Sequence, residues 1–260
     1  MSHEQIYLKI DDSIAQIVLN RPDKRNALTW DMWTRLGEIV DELEGNDAIK
    51  AVIVRGVDAT AFAAGADIVE FETVYAEQDT SVAYTNAMQD SERKLARLEK
   101  PTVALIQGPC IGAGCGIAMC CDVRFADDTA SFAIPPARLG LAYSLGDTKR
   151  LVDVIGPARA KDMMYTARLV KAEEAYHMGL IDRLVGADEL HASVDKYVGS
   201  IASLSRFTNQ TTKRTVQMIL DGAEDDTDDT RAHFMKAFSG EDFQEGRAAF
   251  LEKRKPKFTW

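Results

Sequence analysis

Cysteine is scarce in this 260-residue chain: four are present, at 110, 115, 120 and 121, all inside one short stretch. Their spacing is wrong for a zinc site and no histidine lies nearby, so no metal is expected. Small apolar neighbours suit buried thiols in a reducing compartment. Long hydrophobic runs are missing as well, and none approaches the ~18 residues of a membrane span. Met1-Ser2-His3-Glu4-Gln5 lacks the pattern of an export leader, and the expected location is cytoplasmic. A basic excess is also absent. The formal net charge of −10 argues against a nucleic-acid footprint, though not against a local basic patch for phosphates. With 46% hydrophobic residues, the chain can bury a sizeable core as one domain plus an appendage.

What the chain does have is glycine, concentrated where the chain turns. Gln107 to Asp122 reads QGPCIGAGCGIAMCCD, after the β-branched apolar run Pro101–Ile106 that suits a buried strand. Gly108, Gly112, Gly114 and Gly116 punctuate it, and Ala113 alone carries a β-carbon among positions 112 to 114. Ile117, Ala118, Met119 and Cys121 then give an apolar helical stripe. A strand turning through glycines into a helix presents free backbone N–H groups, and small side chains let a ligand approach them. A close-packed turn with no ligand explains the same stretch equally well. No Gly-Lys-Ser/Thr follows, so it is no P-loop, and the spacing is not that of a dinucleotide fingerprint. A second stretch breaks the tie. Ala61-Phe62-Ala63-Ala64-Gly65-Ala66-Asp67-Ile68 also follows an apolar strand, Ala51 to Arg55, and is also small and glycine-bearing. Two such turns can donate one N–H apiece to a single oxygen, which is the geometry of an oxyanion hole.

Around these turns the pattern alternates strands and helices. Ile6–Ile10 and Ile14–Leu19 flank Asp11-Asp12-Ser13 as a hairpin. Thr29 is placed to cap a helix whose core face is Trp33, Leu36, Ile39, Val40 and Leu43. Residues 73 to 99 are polar to mixed, with Tyr84, Met88, Leu95 and Leu98 as apolar points. Short strands are expected at Val123–Ala126 and Ala130–Ile134, and Pro135-Pro136 then predicts an extended turn. A loop and helix follow to Ile155, Pro157 opens another helix, and Ala172–Met178 is a short one stopped by Gly179. Leu180–Val185 reads as a strand, and helices occupy 188–204, 206–221, 230–238 and 241–254. The acidic run 224–229 reads as a solvated linker.

Asn20-Arg21-Pro22-Asp23-Lys24-Arg25-Asn26-Ala27-Leu28, AFAAGADIVEF, GPCIGAGCGIAMCCD and the closing Glu241–Gly246 and Phe250–Lys255 resemble, in order and spacing, the enoyl-CoA hydratase/isomerase (crotonase) superfamily. The resemblance runs nearly end to end. It implies an α/β fold: a crotonase-type spiral of repeated strand-strand-helix units with a C-terminal helical region. It implies an acyl-CoA-binding core over 1–200, a trimerisation region over 201–260, and a homotrimer or dimer of trimers. Coenzyme A comes as part of the substrate, with no separate cofactor. The resemblance places Ala66 and Ala113 as backbone oxyanion donors. It places Lys24, Arg25, Ala27, Ala64, Asp67 and Ile68 against substrate or coenzyme A, with Phe250 and Lys253 reaching the coenzyme A of a neighbouring subunit. By their own chemistry Asp67 reads as a local cap and the basic C-terminus as charge placed well at a helix end.

The acid–base residues depart from the pattern. Hydratases of the family use two glutamates, and the matching positions here are Gly116 and Pro136, neither of which transfers a proton. Because such groups contribute ~10²–10⁴-fold each, the usual hydration mechanism should be crippled. Gly140-Leu141-Ala142-Tyr143-Ser144-Leu145 resembles the tyrosine-bearing loop of methylmalonyl-CoA decarboxylase, although Ala66 stands where that enzyme carries a histidine. Losing CO₂ generates an enolate without a general base. The expectation is therefore a carbon–carbon or carbon–oxygen lyase acting on a CoA thioester, with decarboxylation leading and Tyr143 orienting the departing carboxylate. Tyr143 as a pocket wall and Asp147 as a helix cap remain open. The alternatives are an atypical enoyl-CoA hydratase using Asp147, Tyr143 or Glu70, and a non-catalytic acyl-CoA-binding homologue.

Overall fold

The hairpin forms as its alternation requires: β1 (Ile6–Asp11) pairs antiparallel with β2 (Ile14–Leu19), and Asp12 turns between them at φ 53°. In this computed structural model residues 4–258 are described; Met1–His3, part of the segment read as no export leader, and Thr259–Trp260, the end of the expected trimerisation region, lie outside them. Thr29 accepts the Met32 N–H and opens α1 (Trp30–Glu44), whose predicted face is buried. There follow β3 (Ala51–Gly56), the single turn α2 (Phe71–Val74) and the 20-residue α3 (Gln78–Arg97). The central stretch supplies β4 (Thr102–Ile106), β5 (Pro109–Ile111) and α4 (Ala113–Cys120). Next come β6 (Val123–Asp127), β7 (Ser131–Ala133), α5 (Pro136–Leu139) and α6 (Leu145–Thr166), which breaks at Gly156 just before Pro157. The rest is β8 (Val170–Lys171), α7 (Ala172–Met178), β9 (Arg183–Val185), α8 (Leu190–Ala202), α9 (Arg206–Leu220), α10 (Asp228–Ser239) and α11 (Glu241–Leu251).

Two sheets carry the repeat. The larger has the order β1-β2-β3-β4-β6-β9, parallel except for the first pair; the smaller has the order β5-β7-β8. A long strand enters the large sheet, a short one follows in the small sheet, and a helix closes the unit: β4-β5-α4, then β6-β7-α5. Ala63 bridges to Cys110 and so extends the small sheet from the β3 unit. Both glycine-bearing turns leave from this small sheet, side by side. The spiral of strand-strand-helix units is therefore the device that stacks them. Parallel strands covered on both faces read as apolar runs, and the two cores show why. One face of the large sheet packs Val52, Val54, Ala104 and Ile106 against α1 and α4, while the other packs Ile53, Val103, Leu105 and Phe125 against Leu190, Val194 and Val198 of α8.

One local expectation fails. Pro135-Pro136 does not force an extended turn: Pro136 is the first residue of α5. Its missing N–H belongs to a position that has no intrahelical partner anyway, and its fixed φ suits the first turn.

Candidate active site

The first turn is held from below by the loop ahead of α1. Buried Asn26 donates to the carbonyls of Ala61 (2.8 Å) and Phe62 (3.2 Å) and accepts the Arg21 N–H (2.8 Å). The Ala64 N–H donates to Arg25 O, Leu28 N–H to Gly65 O and Asp67 N–H to Leu28 O. Gly65 sits at φ +107°, a conformation that glycine adopts without strain. Arg21 reaches the Asp67 carboxylate at 2.7 Å, and Asp67 also accepts the Val69 N–H. Burial opposes ionisation of Asp67, but Arg21 and that N–H outweigh it and hold the carboxyl below its ordinary range. Asp67 thus locks the turn, as its cap reading predicts. Glu70 is a cap too, since it accepts the Trp30 N–H at 2.7 Å and so braces the start of α1. An edge-to-face aromatic group of Trp30, Phe71, Tyr75 and Tyr84 lies just beyond this turn.

The second turn lies directly against the first. Ala63 N–H donates to Pro109 O and Ile111 N–H to Ala63 O. A β-carbon on Gly114 would stand 2.4 Å from Ala63 O, and one on Gly112 would stand 4.0 Å from Gly65 Cα. Only glycine at 114 lets the turns close to this distance. Among the described residues, no acceptor is found for the Ala66 N–H or for the Ala113 N–H, the first of α4. Two unengaged donors on adjoining small-residue turns, one at a helix N-terminus, suit a polarised or anionic oxygen.

Tyr143 adds to the second donor. Its hydroxyl donates to Gly112 O at 3.0 Å, the carbonyl of the same peptide group that carries the Ala113 N–H. Drawing charge toward that oxygen leaves the N–H more positive. Burial first, then the nearby Asp147 carboxylate, push the phenol well above its ordinary range, so it stays protonated. With its proton on Gly112 O, Tyr143 sets the peptide.

Next to this lies a group the sequence did not announce. Glu92 of α3 is 1% exposed and Asp147 of α6 is 4% exposed. Arg150 donates to both, at 2.9 Å to Glu92 and 2.7 Å to Asp147. Ser144 caps α6 by accepting the Asp147 N–H, and its hydroxyl donates back to the Asp147 carboxylate at 2.6 Å. Asp147 is therefore tied into the helix start as well as into the cluster. Glu92 Oε1 reaches to 2.6 Å from where a β-carbon on Gly116 would be, and Asp147 Oδ1 to 3.3 Å. The empty side of Gly116 is thus filled by a carboxyl from another helix. Burial, and then the Asp147 carboxylate, push the Glu92 carboxyl well above its ordinary value against the pull of Arg150. One signal was present in the sequence: Glu92 falls on the stripe of Tyr84, Met88 and Leu95, an acid on a core face.

The other expected residues are spread out. Ala27 and Ala64 line the clasp between loop and first turn, and Ile68, 55% exposed, follows it. Lys24 and Arg25 stand exposed beside it; their backbone groups hydrogen-bond within the loop, and the Lys24 charge adds to the pull on Asp67. Phe250 and Lys253 are at the end of α11, which packs on α10, and within the described chain they are not brought to the turns. All four cysteines are buried and free, and the Cys115 thiol donates to Cys110 O. A cavity of about 750 Å³ runs between α3, α4, α6 and α9; Glu92, Cys120, Ser144 and Arg150 border it, while Ala66 and Ala113 do not. Among the described residues, no helix is long and apolar enough to cross a membrane.

Comparison with known proteins shows what the whole chain is similar to. The family model for enoyl-CoA hydratase/isomerase matches residues 9–260. A crotonyl-CoA hydratase of Syntrophomonas wolfei is 33% identical over 99% of both chains. A short-chain-enoyl-CoA hydratase of Clostridium acetobutylicum is 32% identical over 98% of this chain and 97% of its own. Among solved structures, an enoyl-CoA hydratase/isomerase family protein from Hyphomonas neptunium superposes with a TM-score of 0.95 at 41% identity, covering 99% of this chain and 98% of that one.

Proposed function

The chain belongs to the enoyl-CoA hydratase/isomerase family, and from that premise we propose that it is a lyase that decarboxylates a 2-carboxyacyl-CoA thioester. The enolate oxygen is held by the Ala66 and Ala113 N–H groups. The observation that carries this reading is the pair of unengaged N–H donors on interlocked turns, with no carboxylate side chain at Gly116 or Pro136 to serve as a base. Losing CO₂ forms the enolate without any base. The carboxyls that do lie near are poorly suited to take a proton from water. Burial and Asp147 push the Glu92 carboxyl well above its ordinary range, which weakens it as a resting base, and Asp147 already accepts from Ser144 and Arg150. Each oxyanion donor supplies ~3–4 kcal/mol of barrier lowering, which makes the pair the largest contribution to catalysis in this reading.

Hydration of an enoyl-CoA is the second reading. It is favoured by the hydratase names of relatives that span the whole chain. One assay separates the two: purified protein with methylmalonyl-CoA and, separately, with crotonyl-CoA. CO₂ release with formation of the saturated acyl-CoA supports decarboxylation. Efficient formation of the 3-hydroxyacyl-CoA from crotonyl-CoA replaces it with hydration. Tight coenzyme A binding with turnover of neither refutes both lyase readings and supports an acyl-CoA-binding homologue.

The same reading gives the remaining parts their places. Exposed Lys24 and Arg25 meet the phosphates of coenzyme A, and the thioester lies along Ala27, Ala64 and Ile68. Exposed apolar side chains on α9 to α11, among them Ile219, Phe234, Phe238 and Phe250, suit burial in a trimer or a pair of trimers. There Phe250 and Lys253 would complete a neighbour's site, with 201–260 as the trimerisation region on a 1–200 core. The setting is cytoplasmic, and nucleic acid and membrane have no role.

A further inference from the structure

The geometry points to Glu92 as the proton donor that quenches the enolate at Cα, delivered through the gap that Gly116 leaves in α4. Gly116 lies three residues beyond Ala113 and so on the same face of the helix, ~4.5 Å further along its axis. An enolate oxygen on the Ala113 N–H therefore has its Cα within reach of a group standing over Gly116. Glu92 Oε1 is that group, because it occupies the space where a residue-116 β-carbon would sit, at 2.6 Å. Any side chain at 116 would displace it. The inference rests on the enolate reading above, and it adds a residue from α3 that neither turn contains.

The surroundings suit an acid better than a base. Glu92 is buried, and burial and Asp147 push its carboxyl well above the ordinary range, toward the protonated form. Arg150 contacts Glu92 Oε2 at 2.9 Å and Asp147 Oδ1 at 2.7 Å. It is therefore in position to stabilise the second negative charge once Glu92 has given up its proton. The proton balance is closed. Departure of CO₂ breaks the bond from Cα to the carboxylate and leaves its electron pair in the thioester as an enolate. The C=O then re-forms, Cα takes the proton from Glu92, and the Glu92 carboxylate recovers one from water. Glu92 also borders the cavity between α3, α4, α6 and α9, which gives water a route to it.

The test uses the full chain with Glu92→Gln, which keeps the shape and the Arg150 contact, and Glu92→Asp, which keeps an acid one methylene short. Circular dichroism and calorimetric coenzyme A binding establish that both fold. Turnover is measured in D₂O on whichever of methylmalonyl-CoA or crotonyl-CoA the wild-type protein accepts. Glu92→Gln is expected to lower kcat by ~10²-fold or more with KM little changed. Wild-type product should carry deuterium on one face of Cα, and residual product of Glu92→Gln on both. Glu92→Asp should recover part of the rate, which a residue that merely held Arg150 would not require. Wild-type-like kcat and one-faced labelling in Glu92→Gln would overturn the assignment while leaving the enolate reading intact. No turnover of either substrate by the wild type would overturn both.

Discussion

Replacing Tyr143 by phenylalanine removes one hydrogen bond, 3.0 Å from the hydroxyl to Gly112 O, and little else. The effect on catalysis follows from where that carbonyl sits. It shares a peptide group with the Ala113 N–H, so on the proposed reading the bond polarises the oxyanion donor while the phenol itself stays off the substrate. Hydrogen bonds in series strengthen one another by ~10–30%, and one oxyanion donor is worth ~3–4 kcal/mol. The expected loss is thus about 0.3–1.2 kcal/mol of transition-state stabilisation, or ~2–8-fold in kcat. KM should move little, because the enolate oxygen carries more charge than the ground-state carbonyl. Steady-state kinetics on the accepted CoA thioester decide it, with stability followed separately by denaturant unfolding. A fall of a hundredfold or more would place the phenol on the substrate and refute the reasoning. An unchanged kcat would refute it from the other side.

Gly114→Ala places a β-carbon 2.4 Å from Ala63 O; since both partners are backbone, the turns must separate, and kcat should drop by ~10²-fold or more with loss of a donor. Gly116→Ala drives a β-carbon to 2.6 Å from Glu92 Oε1. Overpacking of ~1–3 kcal/mol is offset by ~1 kcal/mol of helix propensity, so unfolding should show a net cost of about 0–2 kcal/mol. Turnover in that variant should fall by ~10-fold or more as Glu92 is displaced. Stability should also carry a signature of Glu92. Its carboxyl titrates near 4.5 when unfolded and well above that when folded, so between those values only the folded chain holds the proton. Stability therefore falls as pH rises through that window, by at most ~1.4 kcal/mol per unit, and Glu92→Gln should flatten the slope in chemical denaturation.

Much of the frame was legible because it rests on local rules. Thr29 before an apolar stripe, alternation about Asp12, and glycines after short apolar strands each specify their element within a few residues. The two glycine-bearing turns belong to this class, since their shape is in the backbone and depends on small side chains in sequence. Pro136 misled because a proline excludes the helix interior but suits its first turn, and its position relative to the helix start is not written beside it. Glu92 was missed for a different reason. Its role depends on α3 crossing α4 at Gly116, a contact between residues 24 positions apart in sequence. Tyr143 was singled out, yet its partner proved to be a carbonyl 31 residues earlier, which no spacing rule reaches.

The claim on which the rest depends is that this site stabilises a thioester enolate formed without a base, and decarboxylation in D₂O tests it most directly. Methylmalonyl-CoA is incubated with the protein in D₂O and its α-carbon is followed by NMR. The account predicts enzyme-dependent conversion to propionyl-CoA carrying deuterium at Cα, slowed in Glu92→Gln and slowed further in Gly114→Ala. Tight binding of methylmalonyl-CoA with conversion no faster than in the absence of protein would contradict the account.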